Sequence, residues 1–169
     1  MFRWIGLLAL VLAALVAGPA RAGPFDDGID AYYQHDFAKA LRLWLPLAED
    51  GNAYAQNNLG AMHENGQGVA ADMKEAARWY RRAAEQAHTD AQLNLARLYT
   101  TGQGVQEDLV RAHMWLTIST ERSMGGMLWG ALDALAARDA VAAKLSPEQL
   151  ALARAMAKRC VESNYWECN

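Results

Sequence analysis

The sequence repeats itself at a spacing of 36 residues, and that period constrains the fold more than any other property of the chain. Asp36, Asp72 and Asp108 fall in register, as do Ala40, Ala76 and Ala112. Gly66-Gln67-Gly68-Val69 returns as Gly102-Gln103-Gly104-Val105, Trp79 as Trp115, Ala55-Gln56 as Ala91-Gln92, and Asn58-Leu59 as Asn94-Leu95. A fixed period of this size marks an array of small units, each of which buries its apolar face only against its neighbours. Such arrays present extended binding surfaces far more often than catalytic pockets.

Each full unit reads as two antiparallel helices. Asn52 is placed to cap a helix from about Ala53 to Glu64, and the Asn65-Gly66 step suits the left-handed residue that ends it. Asp72 caps the next helix, with Glu75 three residues on as the second half of a capping box. Ala76, Trp79, Tyr80, Ala83 and Ala84 then lie on one stripe at helical spacing. The third unit copies the plan, with Thr89 and Gln92 as a capping box and Asp108 capping the helix that carries Ala112 and Trp115. In the first unit the Gly-x-Gly loop is missing, and Pro46 removes the hydrogen bond to the Arg42 carbonyl, so a kink or an early stop is expected. Beyond Thr120 the period ends. Ser123 to Gly126 reads as a turn, about Met127 to Lys144 as a helix, and Ser146-Pro147-Glu148-Gln149 as the start of a last helix reaching about Cys160. These two helices suit a cap over the third unit.

Few β-branched residues and abundant Ala favour helix, so an all-α fold is expected. Residues 1–22 read as a secretory signal peptide, with Arg3 at its charged end, an apolar run Trp4 to Ala17, and Ala20-Arg21-Ala22 as the cleavage site. The apolar run is shorter than the ~20 residues of a membrane-spanning helix; the competing reading is an uncleaved N-terminal anchor. No cysteine follows the cut, which argues against a lipid-anchored lipoprotein. Without Arg3 and Arg21 the 16 basic residues become 14 against 19 acidic, a net charge near −5. That balance gives no reason to expect nucleic acid or an anionic membrane surface as partner. A periplasmic or secreted protein with no membrane span in its mature form is the expectation, and a monomer is expected.

The residues from Ala55 through Gly68-Val69, Asp72, Trp79-Tyr80 and Ala83-Ala84-Glu85-Gln86 resemble a Sel1-like repeat, the longer-looped relative of the tetratricopeptide repeat. Ala91 through Trp115 resembles a second copy, and Gly28 to Gly51 a degenerate first one. His63 stands where the family favours Tyr, and Ala96 where it favours Gly. The implied architecture is a right-handed α-solenoid of about three helix-pair repeats: 25–51 (degenerate), 52–87 and 88–121, within 23–122. A helical cap at 123–169 completes it. The implied role is an envelope adaptor that binds proteins or peptides on a concave face. On that face the resemblance places the first-helix residues Tyr32, Asn57, Asn58, Ala61 and Glu64, then Asp90, Asn94, Arg97 and Thr100. Asn58 and Asn94 share a repeat position; each could clamp a peptide backbone with a donor and an acceptor, or bond locally within the array.

Cys160 and Cys168 are the only cysteines, and in an exported chain an even pair reads as a disulfide, with free or metal-binding thiols as the alternative. One continuous helix would hold their α-carbons ~12 Å apart, beyond the ~7 Å a bridge tolerates. For a bridge to form, the helix must therefore end near Ser163-Asn164. Cysteine-rich members of the resembled family use the same eight-residue offset; its counterparts here are Ala84 and Gln92.

No motif points to a cofactor, a metal or a catalytic centre. His63-Glu64 lacks the second His of a zinc-protease helix, and His113 replaces Ala77 on a helix face. Ser119, Ser123, Ser146 and Ser163 are followed by no Lys three residues on, and none lies in Gly-x-Ser-x-Gly. A penicillin-binding or β-lactam-hydrolysing enzyme, the activity attributed to some relatives, is thereby the weaker reading. A structural subunit docking through its cap, around Met124, Met127 and Trp129, is the third. Arg78, Arg81 and Arg82 read as a solvated face or an acidic-partner patch, and Trp44, Trp79 and Trp115 as core rather than a sugar platform.

Overall fold

The caps and breaks of the repeat set the helix ends in the computed structural model, which describes residues 23–123 and 128–168. The signal-peptide reading lies outside these residues, as do Met124 and Met127 of the cap-docking reading and all of the expected Ser123–Gly126 turn except Ser123, which is the last residue of α6. Among the described residues the chain is all helix: α1 (Pro24–Tyr33), α2 (Phe37–Glu49), α3 (Ala53–Asn65), α4 (Met73–Ala84), α5 (Thr89–Thr101), α6 (Leu109–Ser123), α7 (Leu128–Ala142) and α8 (Pro147–Glu162). From α1 to α6 each helix packs on the next, and α6 packs on both α7 and α8.

Asn52 Oδ1 accepts from the Ala55 amide at 2.9 Å, and Gly66 closes α3 in the left-handed region at φ 66°. The Asp72 carboxylate caps α4 by accepting from the Lys74 and Glu75 amides. The bond from the Glu75 amide is the foremost cause of its lowered pKa. The capping box expected there does not close, because the Glu75 side chain turns to Arg78 instead. At α5 the cap is displaced by one residue. His88, not Thr89, accepts from the Ala91 amide through Nδ1 at 3.3 Å, and Gln92 is engaged elsewhere. The expected early stop at Pro46 does not occur: α2 runs on to Glu49, with the Asp50 amide bonded to the Pro46 carbonyl.

Gln56 and Gln92 solve a recurring problem at the joint between units. Gln56 Nε2 donates to the Ala48 carbonyl at 2.9 Å, and Gln92 Nε2 to the Ala84 carbonyl at 3.2 Å. Both side chains are buried, and both span eight residues. Cys160 and Cys168 repeat that separation as a disulfide, with α-carbons 4.5 Å apart. The chain turns back after α8 through two consecutive left-handed residues, Asn164 (φ 53°) and Tyr165 (φ 69°).

The core runs along the array in two clusters. Trp44 and Trp79 share one with Leu59 and Met62; Trp115 shares the other with Tyr80, Leu95, Leu98 and Cys160. All three repeat tryptophans are buried, as their helical spacing requires. The Gly-x-Gly loop docks each unit onto its predecessor. Gly68 lies against the Phe37 carbonyl and Gly104 against the Met73 carbonyl, both at positive φ and both too close for a side chain. Within a unit, Gly60 admits the Tyr80 ring, where a Cβ would meet ring carbons at 2.6 Å. One period on, Ala96 replaces that glycine and Leu116 replaces the tyrosine, so the larger residue meets a smaller partner.

Candidate functional site: the wall of first helices

Helices α1, α3 and α5 lie side by side and expose their polar stripe along one wall. Between α3 and α5 the stripe is stitched to itself. Asn94 Nδ2 donates to Asn57 Oδ1 at 3.3 Å, and Arg97 Nη2 donates to both Glu64 oxygens at 2.6 and 2.7 Å. From behind the wall, the buried Tyr80 hydroxyl donates to Glu64 at 2.9 Å. Burial, followed by the Glu64 charge, pushes the Tyr80 phenol well above the ordinary tyrosine range. Four of the residues placed on the wall from sequence, Asn57, Glu64, Asn94 and Arg97, thus form a seam between units. Apart from the Tyr80 hydroxyl on Glu64, their side-chain partners are each other.

On either side of the seam the wall opens into a cavity. The first, of about 310 Å³, lies between α1 and α3 and is lined by Phe25, Ile29, Tyr32, Tyr54, Asn58 and Ala61, among others. Tyr54 is largely exposed and stacks edge-on with Phe25 and with His88. The Tyr32 hydroxyl donates to Gln67 Oε1 at 3.0 Å, which holds its ring at the cavity edge. Asn58, half-buried in the lining, makes no hydrogen bond among the described residues. Its carboxamide is free while that of Asn94, one period on, is taken.

The second cavity, of about 450 Å³, lies between α5 and α7 and is predominantly apolar, with Leu93, Thr100, Leu116, Ala134, Ala137 and Val141 in its lining. Arg97 lines it as well as pairing with Glu64. Sequence reasoning missed this cavity, because the small-residue face of α7 acquires meaning only once α7 packs beside α5. Asp90 sits exposed in the first turn of α5, at the wall position that Tyr54 holds one period earlier.

The remaining candidates resolve as structural parts. Arg78 and Arg82 stack on the Trp79 ring at 5.0 and 4.7 Å, Arg82 also reaches the Glu49 carbonyl, and Arg81 donates to the Tyr99 hydroxyl at 2.9 Å. His113 is buried and hydrogen-bonds Thr117; burial first, then Arg138 and Arg154, lower its pKa. Among the described residues no group of three or more His, Cys, Asp or Glu could hold a metal ion, and no helix is long and apolar enough to cross a membrane.

The model of the Sel1 repeat matches residues 53–88 and 89–123, the units formed by α3/α4 and α5/α6. This chain carries two Sel1 repeats. Among solved structures, a protective antigen of uropathogenic Escherichia coli strains, described as displaying an SLR fold, is 28% identical with a TM-score of 0.75, over 84% of this chain and 31% of that one. A Sel1 repeat protein from Oxalobacter formigenes is 30% identical with a TM-score of 0.56, over 59% of this chain and 41% of that one. The chain therefore spans less than half the length of either neighbour. No curated protein sequence matches it. The architecture is the helical solenoid of Sel1 repeats, here with a degenerate first unit and a terminal pair, α7/α8, packed on α6.

Proposed function

We propose that the protein is an exported adaptor that binds an extended segment of another protein along the wall of α1, α3, α5 and α7. The observation that carries this reading is the pairing of two cavities on one wall, set on either side of the Asn57–Asn94 and Glu64–Arg97 seam. Sel1 repeats generally serve protein–protein interaction. A ligand chain lying across the seam would place one side chain in each cavity, and the free Asn58 carboxamide offers it both a donor and an acceptor. The seam keeps the wall stiff, so little ordering cost falls on the protein when a partner binds. No catalytic step is assigned to the wall. Export is supported by the apolar leader ending at Ala20-Arg21-Ala22 and by the Cys160–Cys168 disulfide, which oxidising compartments favour.

The test compares crosslinked partners captured by the wild type with those captured by Asn58→Ala and by Ala61→Trp, which fills the first cavity. Loss of a partner in both variants, with helical circular dichroism preserved, supports the wall as the binding site. Retention in both moves the interface to the outer helices or the terminal pair.

A further inference from the structure

The charge of the chain is distributed unevenly along the array. Residues 23–65 hold seven acidic side chains and two basic ones, whereas residues 66–169 hold twelve of each. The whole negative excess after residue 22 therefore falls on the segment of α1, α2, α3 and their connections, and all three helices line the first cavity. On α1, Phe25, Ile29 and Tyr32 form the stripe that lines the cavity. Asp26 and Asp30 lie one residue ahead of Phe25 and Ile29, on the neighbouring row that Tyr33 continues. Tyr33 also lines the cavity and is largely exposed, so helical spacing sets this acidic row beside the cavity on its solvent side, outside the lining itself, with the Asp26 carboxylate accepting from the Gly23 amide. Across the opening, Asp90 follows Tyr54 at the next position along the wall. Asp30 and Asp90 are exposed and form no ion pair with Lys or Arg among the described residues, although the Asp90 charge acts on the nearby His88 ring.

An aromatic and aliphatic cavity with carboxylates beside it selects for a ligand with an apolar side chain flanked by cations. The cavity removes the apolar group from water, while the carboxylates supply orientation and speed encounter. We infer that the α1/α3 cavity takes the apolar anchor residue of a basic segment of the partner protein. The inference rests on the groove reading above and adds to it the chemistry of the ligand. The anchor enters between Tyr54 and Ile29, the ligand backbone meets Asn58, and flanking Lys or Arg residues face Asp30 on one side and Asp90 on the other.

The test uses four short fluorescent peptides and fluorescence polarisation on the purified protein. One carries a leucine anchor flanked by lysines, one the same anchor flanked by glutamates, and one the anchor flanked by serines. The fourth carries lysines and no anchor. The lysine-flanked anchor peptide is expected to bind tightest and to weaken with added salt. It should lose roughly fivefold in affinity with Asp30→Asn/Asp90→Asn, two exposed charges, and bind no longer to Ala61→Trp. Equal binding of the serine- or glutamate-flanked peptide, or an unchanged affinity in the aspartate variant, overturns the cationic preference while leaving the groove in place. If the anchor-free lysine peptide binds equally well, or binding survives Ala61→Trp with helicity intact, the cavity is not the seat and the groove reading falls with it. Binding of none of the four overturns both.

Discussion

Gly104→Ala, measured beside Gly102→Ala, isolates the contribution of docking one repeat onto the next. The two glycines sit in the same loop at nearly the same backbone angle, φ 71° and 68°. An alanine at either position meets the left-handed penalty of ~1–2 kcal/mol, partly offset by ~0.4–1 kcal/mol because alanine restricts the unfolded chain. For Gly102→Ala little else changes, since its nearest neighbour would be the Glu107 side chain at 3.5 Å, an ordinary contact. The net loss there is roughly 0.5–1 kcal/mol. At Gly104 the added methyl would stand 2.9 Å from the Lys74 amide nitrogen and closer still to the Met73 carbonyl. Backbone cannot yield as a side-chain tip can, so the loop must lift off α4. Lifting it strips Val105, which is partly buried against the core, of about half a valine's burial, or ~1 kcal/mol. The shifted loop also strains the start of α6 at Asp108, whose carboxylate accepts from the Arg111 amide at 2.9 Å, a cap worth ~1 kcal/mol. The expected total for Gly104→Ala is therefore about 2–3 kcal/mol. Urea unfolding followed by far-ultraviolet circular dichroism measures both variants. Equal losses would refute the argument, because the two would then differ in nothing but position.

Gly60→Ala is expected to cost ~1–3 kcal/mol by overpacking against the Tyr80 ring. Adding Tyr80→Leu, which copies the Ala96/Leu116 arrangement of the next unit, should recover part of that loss in thermal unfolding, and strict additivity would sink the idea. Serine at Cys160 and Cys168 removes a closure of eight residues and should lower stability by about 2.5 kcal/mol, matched by reductant on the wild type and absent when the double variant is reduced. His88 and His113 both have lowered pKa values, each with burial as the leading cause. The unfolded chain therefore binds protons before the folded one. Their contribution is complete above the ordinary histidine value of ~6.5 and is lost as pH falls below it toward the lowered folded values. Urea midpoints measured across that range should decline with pH in the wild type and decline less in His88→Asn, which keeps a capping side chain. A raised folded pKa at Tyr80 has the opposite sense. Stability should fall as pH climbs past ~10, and Tyr80→Phe should flatten that alkaline limb.

What the sequence makes legible follows from locality. Asn52 and Asp72 accept from amides two or three residues on, and the Gly66 amide donates to the Met62 carbonyl four residues back, so spacing alone gives α3 and α4 their ends. The period adds equivalence between units, which is why Trp44, Trp79 and Trp115 read correctly as core. Period does not reveal pairing. Asn58 and Asn94 are equivalent by register, yet Asn94 reaches back to Asn57 and Asn58 faces a cavity, because the bond depends on how α5 sits against α3. Gln92 shows a different failure. Its position suits a local capping box, but the buried Ala84 carbonyl across the joint needs a donor, and that need is visible only in three dimensions. His88 then takes the cap, as histidine can through an unprotonated ring nitrogen.

The eight-residue joint that closes with an amide at Gln56 and Gln92 closes with sulfur at the far end. In a linear array each unit is held by its neighbours, so unravelling begins where a neighbour is missing. At α8 the joint is fastened covalently instead. The interior joints can open and reclose one hydrogen bond at a time, whereas the terminal one opens only when an electron donor arrives. The solenoid thereby holds joints that thermal motion can open, at Gln56 and Gln92, and one after α8 that redox chemistry locks.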